Sequence, residues 1–266
     1  MNEQLELMKR DGVSHLHVLS NFDRTLTKPE VDGKKIPSLI SVLRDHGYLT
    51  PDYPEKAHAL FDHYHQIEID TTIRRDERKK AMKEWWTKHF ELLIASGLTR
   101  QDIKNAMHAR HAQLRDGTHE FFSLLKRNNI PLVIMSSSGL GVDSVHFFLE
   151  AEHELHDNIH IISNHYEWDE NGKALAVKEP IIHGMNKDET LVRDFPEIYP
   201  QIQNRKNVLL LGDSTSDLDM VVGFEYQNLL SIGFLDTPDG NSGFDIEFKS
   251  SASLHKIINI LSSFIN

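Results

Sequence analysis

The sequence predicts an α/β fold in which helices cover both faces of a parallel sheet. Five short aliphatic segments have the composition of strands that are buried on both sides. They are residues 16–19, 132–135, 160–162, 208–211 and 229–232. Helical stretches separate several of them, at residues 118–128, 142–151 and 188–194. This alternation is typical of a doubly wound layer, whose ligands bind beyond the carboxyl ends of the strands.

Residues 36–115 have a different pattern, with helical periodicity at 54–64, 74–96 and 99–113 and no buried-strand segment. Thr99 and Asp102 match the pattern of a helix N-terminal cap. We therefore predict a core formed by residues 1–35 and 116–266, with a helical insertion at 36–115. A second insertion at 166–177 contains Asn171-Gly172, a favoured hairpin turn.

Composition excludes several classes of protein. The chain has 266 residues, a net charge of −11 and no cysteine, which excludes disulfides, thiolate catalysis and cysteine-ligated zinc. The acidic balance argues against a nucleic-acid surface, because counterion release requires a basic face. No segment approaches the roughly 20 apolar residues that cross a bilayer, and the N-terminus lacks a signal-peptide pattern. We expect a soluble cytoplasmic protein with no nucleic-acid, membrane or obligate protein partner.

The first acidic motif, SNFDRT at residues 20–25, directly follows the first predicted strand. Side chains two residues apart point the same way in an extended segment, so positions 21 and 23 can face one ligand. Two carboxylates there would divide the work: one attacks phosphorus, and the other protonates the leaving alcohol and activates water. Thr25 would donate to phosphate oxygens. The alternative is a plain turn, which Asn21, Asp23 and Thr25 also favour.

The second acidic motif follows the strand predicted at 208–211. Gly212 permits a sharp exit, and Asp213 and Asp217 supply the oxygen ligands that Mg²⁺ prefers, directly or through water. The metal would offset the repulsion between phosphate and carboxylates. In the alternative interpretation, Asp213 and Ser214 cap a helix that begins near Asp217. Metal binding and helix capping are compatible, because one oxygen can cap the helix while another oxygen coordinates the metal.

Two further segments indicate phosphate binding. The strand at 132–135 ends in a serine-rich loop in which Ser136, and Ser137 beside it, would contact phosphate oxygens. Lys187 would act as a point-charge phosphate binder. Taken alone, a serine-rich loop usually has no binding role, and a single lysine is usually solvated. Their order between the two acidic motifs favours a common phosphate site.

These motifs together resemble the haloacid dehalogenase superfamily of phosphatases. More narrowly, the chain resembles the cytosolic pyrimidine 5′-nucleotidase family, also called cytosolic 5′-nucleotidase III. The closer resemblance rests on segments that run through nearly the whole chain. They are residues 67–70 (IEID), 84–89 (EWWTKH), 161–164 (IISN), 169–172 (DENG), 182–183 (IH), 186–187 (NK) and 210–217 (LLGDSTSD).

The resemblance implies a Rossmann-like, three-layer core with an inserted helical cap, and Mg²⁺-dependent hydrolysis of nucleoside 5′-monophosphates, with pyrimidines preferred. It implies an aspartyl-phosphate intermediate, with Asp23 as general acid and base. The implied metal positions are Asn21, Asp23 through its carbonyl, Asp213 and Asp217. The implied phosphate positions are Thr25, Ser136, Ser137 and Lys187. The implied substrate positions in the cap are Glu68, Trp85, Trp86 and His89, although adjacent tryptophans also pack inside helix bundles.

Position 21 departs from the family, which has aspartate there. An amide is a poor nucleophile and a weak Mg²⁺ ligand, so we expect the phosphoenzyme route to fail in this chain. Three accounts remain open: an engineered substitution that traps substrate, a naturally inactive homologue, and residual non-covalent hydrolysis. The first is favoured, because the remaining motifs are intact. Alternatives to a nucleotidase are a non-catalytic nucleotide-binding protein and a phosphatase for another small phosphomonoester.

Overall fold

The computed structural model describes residues 2–36, 38–187, 195–222 and 225–265. Its strands are β1 (Leu16–Ser20), β2 (Glu30–Val31), β3 (Lys34–Lys35), β4 (Leu132–Met135), β5 (Ile159–Ile162), β6 (Tyr166–Trp168), β7 (Ala174–Val177), β8 (Asn207–Gly212), β9 (Asn228–Leu235) and β10 (Ile246–Lys249). Six of them form one parallel sheet in the order β10-β9-β8-β1-β4-β5. The predicted α/β fold is confirmed.

The helices are α1 (Asn2–Asp11), α2 (Leu39–Asp45), α3 (Tyr53–Ile69), α4 (Arg75–Ala95), α5 (Arg100–His108), α6 (Thr118–Arg127), α7 (Gly141–Ala151), α8 (Tyr199–Ile202) and α9 (His255–Ile265). Short 3₁₀ helices cover Val13–His15 and Thr215–Val221. The helix predicted at 188–194 lies outside the described residues. Within the described part of the chain, no helix has the length and apolarity that crossing a membrane requires.

Alternate side chains of the sheet enter two different hydrophobic clusters. Along β4, Leu132 and Ile134 join the larger cluster, whereas Val133 and Met135 join the smaller one. All four are fully buried, as expected for a parallel strand with helices on both faces. The central strand β1 lies between β4 and β8, so the carboxyl ends of these three strands meet at one edge.

The helical region α2–α5 is joined to the sheet through the larger cluster, which holds Phe90 and Ile103 together with Val18 of β1. A separate cluster of Tyr64, Met82, Trp85 and Met185 lies where α3 and α4 meet the loop that leads to Lys187. The predicted core and the predicted insertion at 36–115 therefore share one hydrophobic cluster. The domain boundaries at these positions stay a prediction.

Two hairpins lie outside the main sheet. The predicted hairpin forms from β6 and β7, and its turn places Gly172 at φ +77°. The hairpin of β2 and β3 was not predicted, although its turn residues Asp32 and Gly33, at φ +50° and +77°, are a favoured pair for such turns.

Two predicted helix ends differ from the structure, and one strand was not predicted. The helix predicted at 54–64 continues to Ile69, and the helix predicted at 99–113 ends at His108. Arg110 adopts φ +58°, which stops the helix, and Leu114 then pairs with Thr27 at the edge of the core. Strand β10 was missed because it is short and only partly buried.

The capping box at the start of α5 gives a stability prediction. Thr99 Oγ1 accepts a hydrogen bond from the Asp102 N–H at 3.1 Å, and an Asp102 oxygen accepts one from the Thr99 N–H at 2.9 Å. Replacing Thr99→Ala should lower the free energy of unfolding by about 1 kcal/mol in urea titrations. Thr87→Ala, at a partly exposed position in the middle of α4, is the control and should stay within about 0.5 kcal/mol of the parent. Equal effects at both sites would contradict the capping role.

Candidate active site

The loops after β1, β4 and β8 line a cavity of about 560 Å³ that α2, α3 and α4 close from the opposite side. Nine of the predicted site residues line this cavity. They are Asn21, Asp23, Glu68, Trp85, Trp86, Ser137, Lys187, Asp213 and Asp217. The topology explains the convergence, because the ends of three adjacent parallel strands share one edge of the sheet.

Asn21 is held by contacts on every side of its amide. Its backbone N–H donates to Leu211 O at 2.9 Å, which continues the pairing of β1 with β8. Its Nδ2 donates to Asp213 Oδ1 at 2.6 Å and to the Asp23 carbonyl at 3.0 Å. Its Oδ1 accepts from Lys187 Nζ at 3.0 Å. Position 21 is therefore a buried junction, with 8% of the residue exposed.

The chemistry of the neighbours determines which way this amide faces. The Lys187 ammonium has donors only, so an acceptor must face it. The Asp23 carbonyl has lone pairs only, so a donor must face that side. With Oδ1 toward Lys187 and Nδ2 toward Asp213 and Asp23, all of these requirements are met at once.

Lys187 and Asp217 form a buried ion pair below Asn21. Lys187 Nζ lies 2.7 Å from Asp217 Oδ1, and the two residues are 3% and 1% exposed. Asp217 Oδ2 accepts from the backbone N–H groups of Asp213 and Ser214 at 3.0 and 3.1 Å. Ser214 is the N-terminal cap of the 3₁₀ helix, as predicted, but its partner in the capping box is Asp217 and not Asp213, and the helix begins at Thr215. Both carboxylate oxygens of Asp217 are therefore engaged by protein donors.

Asp23 is poised to exchange a proton. Its Oδ1 accepts from the Leu39 N–H at 2.9 Å, a bond that favours the charged form. Burial has the larger, opposite effect and raises the pKa of Asp23 to about 7. A carboxyl group with such a pKa can both give and take a proton near neutral pH.

Asp213 is a partly buried carboxyl group in a crowded acidic environment. Burial first, and then the neighbouring Asp217 carboxylate, raise the pKa of Asp213, while Arg24 and Lys187 oppose the increase. Arg24 Nε lies 3.6 Å from Asp213 Oδ2, and Arg24 Nη2 donates to Asp236 at 2.9 Å. The site thus concentrates negative charge that its two cations only partly offset.

The predicted Mg²⁺ site does not fit the residues as they are arranged. Asp213 Oδ1 and the Asp23 carbonyl are suitable oxygen ligands, but the amide protons of Asn21 point at both of them. Turning the amide would bring Nδ2 against the Lys187 ammonium, so two donors would face each other. Within the described ranges, no three His, Asp or Glu side chains are grouped to hold a metal.

Three predicted contact residues lie behind the cavity surface. Thr25 is fully buried, and its hydroxyl lies 3.4 Å from both Asn21 Nδ2 and Asp213 Oδ1. Ser136 is 1% exposed, and its Oγ accepts from the Ser138 N–H. His89 lies beside Trp86 and pairs through Nε2 with the Tyr53 hydroxyl at 3.1 Å. Their placement indicates supporting roles, and it leaves Ser137 as the predicted serine on the cavity surface.

The cap side of the cavity is aromatic with one acidic group. Trp85 stands edge-on to Phe61, with ring centroids 6.0 Å apart, and Trp85 Nε1 is buried without a hydrogen-bond partner in the described chain. Trp86 packs against the serine loop, because a Cβ on Gly139 would meet its ring at 2.9 Å. Glu68 pairs with His65 at 3.1 Å. Rings and a carboxylate on one wall can bind a planar, polar ligand.

Sequence reasoning missed several residues of this wall. Arg44 comes from α2, Phe61 and His65 from α3, and Met82 from α4, and all of them line the cavity. Phe61 and His65 are one helical turn apart and stack at 4.7 Å, a spacing that the sequence does show. No local pattern marks Arg44, because its position depends on how α2 packs against the core.

Comparison with known proteins agrees with this geometry. A family model described as Pyrimidine 5′-nucleotidase (UMPH-1) matches residues 24–263. The chain belongs to the pyrimidine 5′-nucleotidase family. A 7-methylguanosine phosphate-specific 5′-nucleotidase of Gallus gallus is 31% identical over 264 residues, which cover 97% of this chain and 90% of that protein. The Homo sapiens protein with the same name is 35% identical over 236 residues, which cover 88% and 78% of the two chains.

Solved structures place this nucleotidase family member in the same fold. Cytosolic 5′-nucleotidase IIIB bound to cytidine superposes with a TM-score of 0.87 at 29% identity, covering 98% of this chain and 90% of that one. A phospho-aspartyl intermediate analogue of phosphoserine phosphatase superposes at 0.55 with 15% identity, covering 92% and 97%. The second likeness concerns the fold alone. The predicted family is thus confirmed.

Gly212 gives a prediction about packing at the base of the site. A Cβ at this position would lie 2.6 Å from Asp217 Cβ and 2.8 Å from Asp217 Oδ2, so the Asp217 network would have to move. Gly212→Ala should lower the free energy of unfolding by about 1–3 kcal/mol in urea titrations. Gly184→Ala is the control, because its Cβ would meet Glu68 at an ordinary 3.6 Å. A parent-like Gly212→Ala variant would show that Asp217 is not tightly packed.

His89 gives a prediction about acid stability. Burial lowers its pKa from 6.5 to about 4, so the unfolded chain binds the proton first as the pH falls. The stabilising contribution is complete above pH 6.5 and is lost on the way to about pH 4. His89→Phe should reduce this acid-dependent loss by on the order of 3 kcal/mol, measured by urea titrations across that range. The exposed His63→Phe is the control, and an equal change in both variants would contradict the assignment.

Proposed function

We propose that this chain has the scaffold of a phosphatase that hydrolyses nucleoside 5′-monophosphates, with pyrimidine nucleotides preferred. The proposal rests on one observation: Asp23, Asp213, Lys187 and Ser137 line the same cavity as the aromatic wall of the cap. A cavity of about 560 Å³ is in the usual range for small-molecule sites. Relatives named cytosolic 5′-nucleotidases support a cytoplasmic location.

The reaction needs a carboxylate at position 21. Its oxygen would attack phosphorus, the bond from phosphorus to the 5′-oxygen would break, and Asp23 would protonate that oxygen. Asp23 would then take a proton from water as the water attacks the acyl-phosphate and releases inorganic phosphate. Asn21 has no such nucleophile, so we propose that the chain as written is inactive or retains its substrate. Phosphatases of this fold generally use a divalent metal, and we propose Mg²⁺ for the form with aspartate at 21.

The acidic and aromatic wall also supports a second candidate substrate, 7-methylguanosine 5′-monophosphate. Several relatives are named for this nucleotide. Its base carries a positive charge, which favours stacking on the rings of Trp85 or Trp86. Glu68 supplies a carboxylate on the same side of the cavity. A pyrimidine base uses the same rings for stacking without the added attraction of charge.

Restoring the nucleophile tests the function directly. The Asn21→Asp variant should release phosphate from a nucleoside 5′-monophosphate in the presence of Mg²⁺, at least roughly 100-fold faster than the parent chain. The panel is CMP, UMP, AMP, GMP, 7-methylguanosine 5′-monophosphate and sugar phosphates, with released phosphate as the readout. Adding Asp23→Asn should remove most of the gain, by about 10²–10⁴-fold, because proton transfer to the leaving group is lost.

The panel also separates the alternatives. If Asn21→Asp binds nucleotides tightly but releases no phosphate, the chain is a non-catalytic nucleotide-binding protein. If it cleaves sugar phosphates and leaves nucleotides intact, it is a phosphatase for another small phosphomonoester. Either result would contradict the proposed nucleotidase.

A further inference from the structure

We propose that the side-chain amide of Asn21 takes the place of a divalent cation, so that this chain binds a phosphate group without Mg²⁺. The phosphate-binding half of the inference rests on the proposed function. The amide carries out two tasks that a cation would otherwise perform. It satisfies Asp213 Oδ1 at 2.6 Å and the Asp23 carbonyl at 3.0 Å, and it links the loops that follow β1 and β8.

The amide cannot easily give way to a metal ion. A cation between Asp213 and the Asp23 carbonyl would meet the Nδ2 edge of the amide, because Oδ1 faces Lys187. Rotating the amide would bring Asn21 Nδ2 against the Lys187 ammonium, so that two donors face each other. Buried polar groups without partners lower the stability of the folded state. Lys187 cannot turn away readily, because its ammonium also holds Asp217 at 2.7 Å in a buried pair.

The charge balance points the same way. Asp213 and Asp217 already lie in the site with Lys187 and Arg24 as its cations. An aspartate at position 21 would put a further carboxylate in hydrogen-bonding distance of Asp213, and only a cation would offset that repulsion. The neutral amide removes this negative charge. The residue at position 21 therefore changes how strongly the site requires a divalent ion.

Donors for a phosphate group remain after the amide is accounted for. The Ser137 hydroxyl lies on the cavity surface and is only partly buried. Arg24 lines the same cavity, and its buried Nε makes no hydrogen bond within the described residues. These groups can bind phosphate oxygens directly, as serine hydroxyls and guanidinium groups do elsewhere.

Isothermal titration calorimetry with two probes tests the inference. The probes are Mg²⁺ alone and inorganic phosphate, which no variant consumes. The parent chain should bind phosphate with the same dissociation constant, within about twofold, in EDTA and in excess Mg²⁺. Asn21→Asp should bind Mg²⁺ at least roughly tenfold more tightly than the parent, and its phosphate binding should depend on Mg²⁺. Asn105→Asp, the same charge change at an exposed site, should behave like the parent.

The inference is overturned if the parent binds Mg²⁺ as tightly as Asn21→Asp, if its phosphate binding requires Mg²⁺, or if it binds no phosphate. The parent measurements need no variant, so they stand even if Asn21→Asp fails to fold. The two proposals fail separately. A variant that gains Mg²⁺ binding but cleaves no nucleotide contradicts the function alone, whereas an active variant with a parent that binds Mg²⁺ equally well contradicts the inference alone.

Discussion

The site depends on one buried ammonium group, that of Lys187. It contacts Asp217 beyond β8 and Asn21 beyond β1, so three segments that are distant in sequence meet at one charge. A buried ion pair is expensive to desolvate, and removing one partner commonly costs about 3–5 kcal/mol because the other charge is left uncompensated. The arrangement persists because Asp217 accepts two backbone N–H groups as well. Charge, capping and loop geometry thus constrain one another.

This constraint explains why the scaffold tolerates an amide at position 21. The network requires an acceptor toward Lys187 and, without a cation, a donor toward Asp213 and the Asp23 carbonyl. Asparagine supplies both from one planar group of nearly the same shape as aspartate. An amide at position 21 therefore need not disturb the fold. The match to the family model and the superposition on a solved nucleotidase are both consistent with this.

The sheet was predictable because each buried strand can be recognised from its own few residues. Strands buried on both faces are short aliphatic segments, and five such segments match five of the six strands in the central sheet. The order of the acidic, serine and lysine motifs then predicted that they share a cavity, since parallel strands end at one edge. The edge strand β10 lacks this signal, because it is only partly buried.

Side-chain positions within the site were less predictable because they depend on packing between distant segments. His89 lies behind Trp86 because Tyr53 of another helix binds it, and no pattern around residue 89 encodes that contact. Likewise, the sequence motif placed Asn21 in the site, but the direction in which its amide faces depends in part on Lys187, 166 residues further along the chain.

The most direct measurement is a crystal structure of the unaltered chain grown with CMP and Mg²⁺. The account predicts a phosphate group beside Ser137 in the cavity, with the Asn21 amide still between Lys187 and Asp213 and no cation bound to either of its atoms. A cation coordinated by Asn21 Oδ1 and Asp213, with Lys187 displaced from the amide, would contradict it.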